Sequence, residues 1–275
     1  MTSQSVEKTE IDLLLNAIFQ HYGYDFRNYA KASIRRRVQH FLAKTHYSKI
    51  SEMIPRLLYD EDFAQSMMQE FSVMVTEMFR DPSFYRAVRQ DVIPYLKTYP
   101  FIKVWHAGCA TGEEVYSLAI LLQEEDIYER ATIFATDFND AALQTAREGI
   151  YSLKDIQHYT KNYQLAGGVR SFADYYHAQY ESAIMEPALK KNLTFANHNL
   201  VTDGVFSEVH LIFCRNVLIY FDKELQNRVL TLFAESLSYG GFLCLGTKET
   251  LQFSRVQDQF KIVNSQEKVY QKVTP

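Results

Sequence analysis

Apolar positions change their spacing once along this chain. Up to residue 72 they recur at helical steps with no strand alternation: Leu13, Ala17 and Ile18 lead to Tyr22, and Phe63, Met67, Met68 and Phe71 follow alike. Ile34, Val38, Phe41 and Leu42 make another such stripe. These patterns predict a small all-helical domain over residues 1–72. A further helix is expected after Asp81, with Asp81 as N-cap, Pro82 at the first helical position, and Phe84, Val88 and Val92 inward.

From Ile102 short β-rich runs alternate with helical ones, the pattern of βαβ units on a parallel sheet. Strands are expected over 102–106, 132–136, 193–196, 209–214 and 242–245. The run Val209–Cys214 is apolar but for His210, as expected of a strand buried on both faces. Helices are expected over Glu113–Glu124 and 139–148. A third is expected from an Asp222 N-cap through Leu225, Val229, Phe233 and Leu237, ended by Gly240. Runs 260–263 and 268–273 look like a terminal hairpin. Residues 151–191 fit neither period. With a Gly167-Gly168 turn and a group of tyrosines, they suggest a small β insertion at about 162–186. The fold class is thus α/β over 73–275, preceded by the helical domain.

The 275 residues suit one or two domains. A share of 47% apolar and 23% charged residues excludes a disordered or fibrous chain. Net charge −4 argues against a general nucleic-acid binder. Three widely spaced cysteines, Cys109, Cys214 and Cys244, suggest neither a disulfide framework nor a zinc site. With a polar N-terminus and no apolar run near the eighteen or so residues of a membrane helix, the expectation is a cytoplasmic protein, by default monomeric. One stretch departs from the overall acidity: from Arg27 to Arg56 stand eight basic residues and one acidic, Glu52. Lys31, Arg35 and Gln39 share a helical face there. It is either a solvated face or a dock for an acidic partner.

Three stretches carry chemistry. In Val104-Trp105-His106-Ala107-Gly108-Cys109-Ala110-Thr111-Gly112-Glu113-Glu114 a strand enters a small-residue loop and then a helix, so a ligand can approach the backbone. A dinucleotide site would need G-x-G-x-x-G. Here the glycines are spaced G-x-x-x-G, and the glutamates would repel a pyrophosphate while suiting an ammonium or sulfonium group. That favours S-adenosylmethionine over NAD or ATP; two glutamates in a first helical turn also simply complement the helix dipole. Asp137, ending the second strand, is placed to accept from ribose hydroxyls or to cap the next helix. The run from Phe213-Cys214-Arg215-Asn216 to Tyr220-Phe221-Asp222 puts polar and aromatic groups at a strand end, where open α/β sheets bind ligands. No Pro-Pro pair follows an acidic or amide residue, no cysteine sits beside proline, the eight histidines have no metal spacing, and no G-x-S-x-G elbow occurs.

Taken in order, Thr76-Glu77-Met78-Phe79-Arg80, the Trp105 to Glu114 loop, Phe134-Ala135-Thr136-Asp137, Asn197-His198-Asn199-Leu200, Cys214 to Asp222 and Gly240-Gly241-Phe242-Leu243 closely resemble the chemotaxis receptor methyltransferases, the CheR family. The resemblance covers nearly the whole chain. It implies a Rossmann-like class I S-adenosylmethionine-dependent methyltransferase sheet. It also implies methyl transfer from S-adenosylmethionine to glutamate side chains on the helical bundle of chemoreceptors for sensory adaptation, giving glutamate γ-methyl ester and S-adenosylhomocysteine. By the same resemblance Thr76 and Arg80 border the site. Ala107, Gly108 and Glu113 hold the methionyl end, Asp137 the ribose, and Asn199 and Leu200 flank the adenine. Arg215, Asn216 and Tyr220 lie near the methionine part and the transferred methyl, Arg80 and Tyr220 are the catalytic candidates, and Arg35, Arg36 and Arg37 meet the receptor. Two departures stand out: Met74 where members often have Asn, and Gly246-Thr247-Lys248-Glu249 where many have a His-Ser-Glu-like run. Two other readings are a non-catalytic S-adenosylmethionine sensor and an RNA methyltransferase using the basic helix; the missing Pro-Pro motif and the acidity weigh against the latter.

Overall fold

The two apolar periods become two compact units, residues 1–73 with 219–228 and residues 74–218 with 229–275. The computed structural model describes residues 3–72, 75–205 and 207–274; Met74 lies outside them.

The first unit holds helices Ser3–Tyr22, Lys31–Ala43, Met53–Tyr59 and Glu61–Phe71. On the first, the buried face is Ile11, Leu14, Leu15 and Ile18, while Leu13, expected inward, is exposed. Ile34, Val38 and Phe41 are buried together with Phe63, Met67 and Phe71. Asp60 caps the fourth helix, accepting from the Phe63 N–H at 3.0 Å. Asp222 accepts from the Leu225 N–H at 2.9 Å, as an N-cap should.

Among the described residues the second unit contains ten strands: β1 Ile102–Ala107, β2 Ala131–Asp137, β3 Ile150–Ser152, β4 Tyr176–Gln179, β5 Ser182–Met185, β6 Leu193–Asn197, β7 Val209–Cys214, β8 Leu237–Leu245, β9 Phe260–Asn264 and β10 Val269–Lys272. Seven form one sheet in the order β6-β2-β1-β7-β8-β10-β9. It is parallel from β6 to β8 and ends in the expected antiparallel hairpin. Strand order therefore reverses at β1, where ligands of such sheets bind beyond the carboxyl ends. Helix Glu113–Glu124 has its expected bounds, and Val115, Leu118, Ala119 and Leu122 are buried on it, each larger side chain contributing about 1.5–3 kcal/mol.

Four expectations are corrected. Helix Lys223–Ser236 stops before Leu237, which pairs with Val209 and opens β8. Gly240 therefore lies within a strand. The helix after β2 is capped by Asn139, whose Oδ1 accepts from the Ala141 and Ala142 N–H groups, and not by Asp137. Asp81 holds the expected N-cap position before Pro82, but its side chain makes no cap bond; the carboxylate is used elsewhere. The insertion is larger than 162–186: β3 pairs with β5 and β5 with β4 in a separate antiparallel sheet, and helix Leu153–Leu165 lies between β3 and β4. Among the described residues no helix is long and apolar enough to cross a membrane.

Candidate active site

The small-residue loop leaves β1 in a backbone path that needs glycine. Gly108 has φ +75 and Gly112 φ +92. A Cβ on Gly108 would stand 2.6 Å from Val217 Cγ2, so the loops after β1 and β7 interlock there. Gly112 ends the turn and begins helix Glu113–Glu124 without a side-chain cap, leaving amino-terminal N–H groups free of one.

The Glu113 side chain is buried and held by the Thr111 hydroxyl, which donates to Oε2 at 2.7 Å. Burial pushes its carboxyl above the ordinary value. A carboxylate so placed favours a cationic neighbour. Asp137 lies at the end of β2, where its Oδ2 accepts from the Ala110 N–H at 2.9 Å and its Oδ1 from the Asn139 N–H at 3.0 Å. Burial again raises its pKa, opposed by those backbone bonds. A carboxylate has about four lone-pair sites, so these backbone donors leave it acceptor capacity.

The loops after β6 and β7 lie on the same carboxyl edge. Asn199 is half-buried and locked in a turn, its Oδ1 accepting from the Val201 N–H and its own N–H donating to Asp203. Leu200 is buried beside it in sequence. Asn216 has φ 61 and donates its N–H to Glu249 Oε2 at 3.1 Å. Thr76 and Arg80 occupy the segment before helix Pro82–Ala87. Arg80 is half-buried, and its Nη1 donates to the Val75 carbonyl at 3.3 Å.

Two arginines are placed otherwise than the resemblance implies. The Arg215 side chain, only 1% exposed, does not offer its guanidinium to a ligand. Nη2 donates to Asp81 Oδ2 at 2.6 Å, Nη1 to Glu114, and the guanidinium lies 3.9 Å from the Phe84 ring centre. Arg215 therefore fixes the first turn of the helix that carries Glu113. Arg37 is also buried, because it donates from Nη1 to the carbonyls of Glu70 and Phe71 and so satisfies the end of helix Glu61–Phe71. It is not available to an acidic partner. Arg36 is exposed. Arg35 is half-exposed, pairs with Glu7 at 2.7 Å, and lines a pocket of about 290 Å³ with Lys8, Arg27 and Lys31 over Ile11 and Leu15. Tyr220 belongs to the first unit, where its carbonyl accepts from the Ala30 N–H and the Arg37 guanidinium lies 5.1 Å from its ring centre.

The sequence reading missed Glu249. Its buried carboxylate accepts from the Gly246 N–H at 2.6 Å as well as from Asn216, tying the end of β8 to the loop after β7. Its sequence signal was the acidic residue ending Gly246-Thr247-Lys248-Glu249. His106, on β1, is fully enclosed; burial, with Glu114 opposing and Arg215 adding, lowers its pKa to about 4. Between pH 6.5 and 4 the unfolded chain therefore takes up a proton that the folded one refuses, so stability falls as pH falls through that window. His106→Phe should lose a decline of about 1–3 kcal/mol there, checked by urea unfolding of both proteins at pH 7 and pH 5. Parallel pH profiles would contradict it.

Comparison with known proteins agrees with this geometry. Residues 74–269 match the family described as CheR methyltransferase, SAM binding domain, and residues 9–72 match CheR methyltransferase, all-alpha domain. The chain is 50% identical to the putative methyltransferase Cher3 of Pseudomonas putida, over 99% of this chain and 100% of that one. It is 30% identical to a chemotaxis protein methyltransferase of Listeria monocytogenes, over 83% of this chain and 85% of the relative. Among solved structures, the N-methyltransferase NodS of Bradyrhizobium japonicum with S-adenosyl-L-homocysteine matches 62% of this chain and 63% of its own at 13% identity, with a TM-score of 0.35. A buried acid beside a left-handed glycine turn, on a sheet whose order reverses at that strand, thus stands inside matches that run almost from end to end: the chain belongs to the CheR methyltransferase family and binds S-adenosylmethionine in its α/β domain.

Proposed function

We propose that the protein transfers the methyl group of S-adenosylmethionine to glutamate side chains of chemoreceptors, in the cytoplasm, giving γ-methyl esters and S-adenosylhomocysteine. The observation that carries this reading is the buried Glu113 carboxylate at the start of the helix that follows the glycine turn. It fits an α-ammonium group and opposes a phosphate. Asp137, a strand-end carboxylate with acceptor capacity left, fits a ribose diol, and relatives named chemotaxis protein methyltransferase support the acceptor class.

When bound, S-adenosylmethionine supplies a methyl carbon on a sulfonium. The chain's residues then have few tasks. A glutamate acceptor, with a pKa of about 4.3, is already ionised at neutral pH, so no general base is required of the protein. What remains is alignment, worth roughly 7–11 kcal/mol when reactants are held in attacking geometry. In our reading Glu113 and Asp137 hold the two polar ends of the cofactor, Ala107 and Gly108 let it approach the backbone, Asn199 and Leu200 flank the base, and Asn216 borders the methionine part. Thr76 borders the acceptor, and Arg80 orients the incoming carboxylate, which favours a single soft contact over a tight clamp. Tyr220 is proposed as a second acceptor-side residue. Arg35 and Arg36, without Arg37, are proposed to meet the acidic receptor surface.

Two variants test the division of labour. Asp137→Ala should weaken S-adenosylhomocysteine binding by about 1.5–3 kcal/mol, the value of a hydrogen bond to a charged group; calorimetry returning wild-type affinity would refute the role. Arg80→Ala should keep that affinity and lose at least tenfold in methyl transfer to a receptor fragment, about 1.4 kcal/mol. Unchanged turnover would remove Arg80 from the reaction.

A further inference from the structure

Arg80 sits between two non-glycine residues with left-handed backbone, Phe79 at φ 53 and Asp81 at φ 55. Such conformations persist only where the surroundings hold them, and they gather at functional sites. The holding contacts come from several elements. From helix Glu113–Glu124, Ser117 Oγ accepts the Phe79 N–H at 2.8 Å. From the loop after β7, Arg215 pairs with Asp81 and reaches the Arg80 carbonyl at 3.4 Å.

The rest come from helix Leu153–Leu165, which precedes strands β4 and β5. The Asn162 side chain, buried in that helix, donates from Nδ2 to the Met78 carbonyl at 3.1 Å. One turn earlier, His158 Nε2 lies 2.6 Å from Glu77 Oε2 and 3.3 Å from Asn162 Nδ2. The Phe79 ring packs at 5.2 Å from Tyr163 and 6.3 Å from Phe172. Residues 158 and 162 are four apart and so share one helical face. That face meets Glu77 and Met78, immediately before the strained pair.

We propose that Asn162 and His158 are positioning residues for Arg80. They clasp Glu77 and Met78 and thereby hold the strained turn in which Arg80 is presented, which makes the inserted helix part of the acceptor site. The proposal rests on the acceptor role of Arg80 given above. It differs from simple support of the helix, because a supporting contact could be lost without altering the backbone of 77–81.

The test uses the full-length protein with Asn162→Leu, His158→Leu, His158→Gln and Glu77→Gln. Hydrogen exchange of the peptide spanning 75–82 reads the clasp with no acceptor present. The expected results are exchange at least tenfold faster at the Phe79 amide in Asn162→Leu, a smaller increase in His158→Leu, and partial restoration in His158→Gln, which keeps an N–H donor. Glu77→Gln with His158→Leu should exchange no faster than His158→Leu alone. S-adenosylhomocysteine affinity should stay within twofold throughout, while kcat/KM for the receptor fragment falls about tenfold in Asn162→Leu. Glu77 and His158 are partly exposed, so their variants keep the test open if Asn162→Leu does not fold. Wild-type exchange over 75–82 in the folded variants would overturn the clasp. Faster exchange with unchanged acceptor kinetics would overturn the positioning role. A wild-type protein that methylates no receptor fragment would strike the acceptor reading, and the exchange result would still decide whether the clasp exists.

Discussion

Arg215→Ala should lower unfolding stability by about 3 kcal/mol, the low end of the cost of stripping one partner from a buried ion pair. The low end applies because Asp81, one of the two carboxylates, is 37% exposed and water can partly replace the arginine there. Glu114 cannot be rescued so well, being only 14% exposed. The two carboxylates hold the guanidinium firmly in its charged form, well above its ordinary pKa, against the desolvation that opposes it. Arg215→Lys should recover little, since a single ammonium on a flexible stem does not reproduce a fork spanning Asp81 and Glu114. In a scan the loss corresponds to a fall of about 6–12 °C in the melting transition. Calorimetric melting within about 2 °C of wild type would contradict the assignment of Arg215 to the frame of the site.

Gly112→Ala should do comparable damage by a different route, and it should reach the cofactor directly. At φ +92 any side chain is strained, by about 1–2 kcal/mol. The added methyl would also stand 2.8 Å from Ala146 Cβ and 3.1 Å from Ala146 Cα, and a backbone atom cannot step aside like a side-chain tip. Overpacking of that kind costs about 1–3 kcal/mol more. Because Glu113 is the next residue, relief of the clash must move the carboxylate proposed to hold the ammonium group. S-adenosylhomocysteine affinity should therefore fall more than tenfold. Calorimetry showing wild-type binding with an unchanged melting temperature would mean that the turn is not held as described.

The parts of the molecule that could be read in advance are those whose signal is local. Val209–Cys214 is a strand with the expected bounds because five apolar residues, interrupted only by His210, leave few alternatives. The glycine turn was legible because no other residue permits that path so cheaply. Where partners come from far along the chain, the reading failed. Leu237 continues the helical period of Val229 and Phe233, yet pairing with Val209 makes it a strand residue. Helix Leu153–Leu165 was hidden because its buried face includes Asn162 and two tyrosines, which carry no apolar period. Arg37 looked like its neighbours Arg35 and Arg36; only the fold reveals that it faces the carbonyls of Glu70 and Phe71. Arg215 was correctly singled out as charged at a strand end, but its partners Asp81 and Glu114 lie more than a hundred residues away. Glu249 was visible only as a departure from a family pattern, and its two backbone donors explain why an acid is needed there.

The most direct test of the account is methyl transfer itself. The protein is incubated with methyl-labelled S-adenosylmethionine and a purified chemoreceptor signalling fragment, beside the same fragment with its candidate glutamates changed to alanine. The account predicts label on the intact fragment only, released as volatile methanol by mild base, as a carboxyl ester requires. Tight binding of S-adenosylhomocysteine with no label on the fragment, or label that resists base, would contradict it.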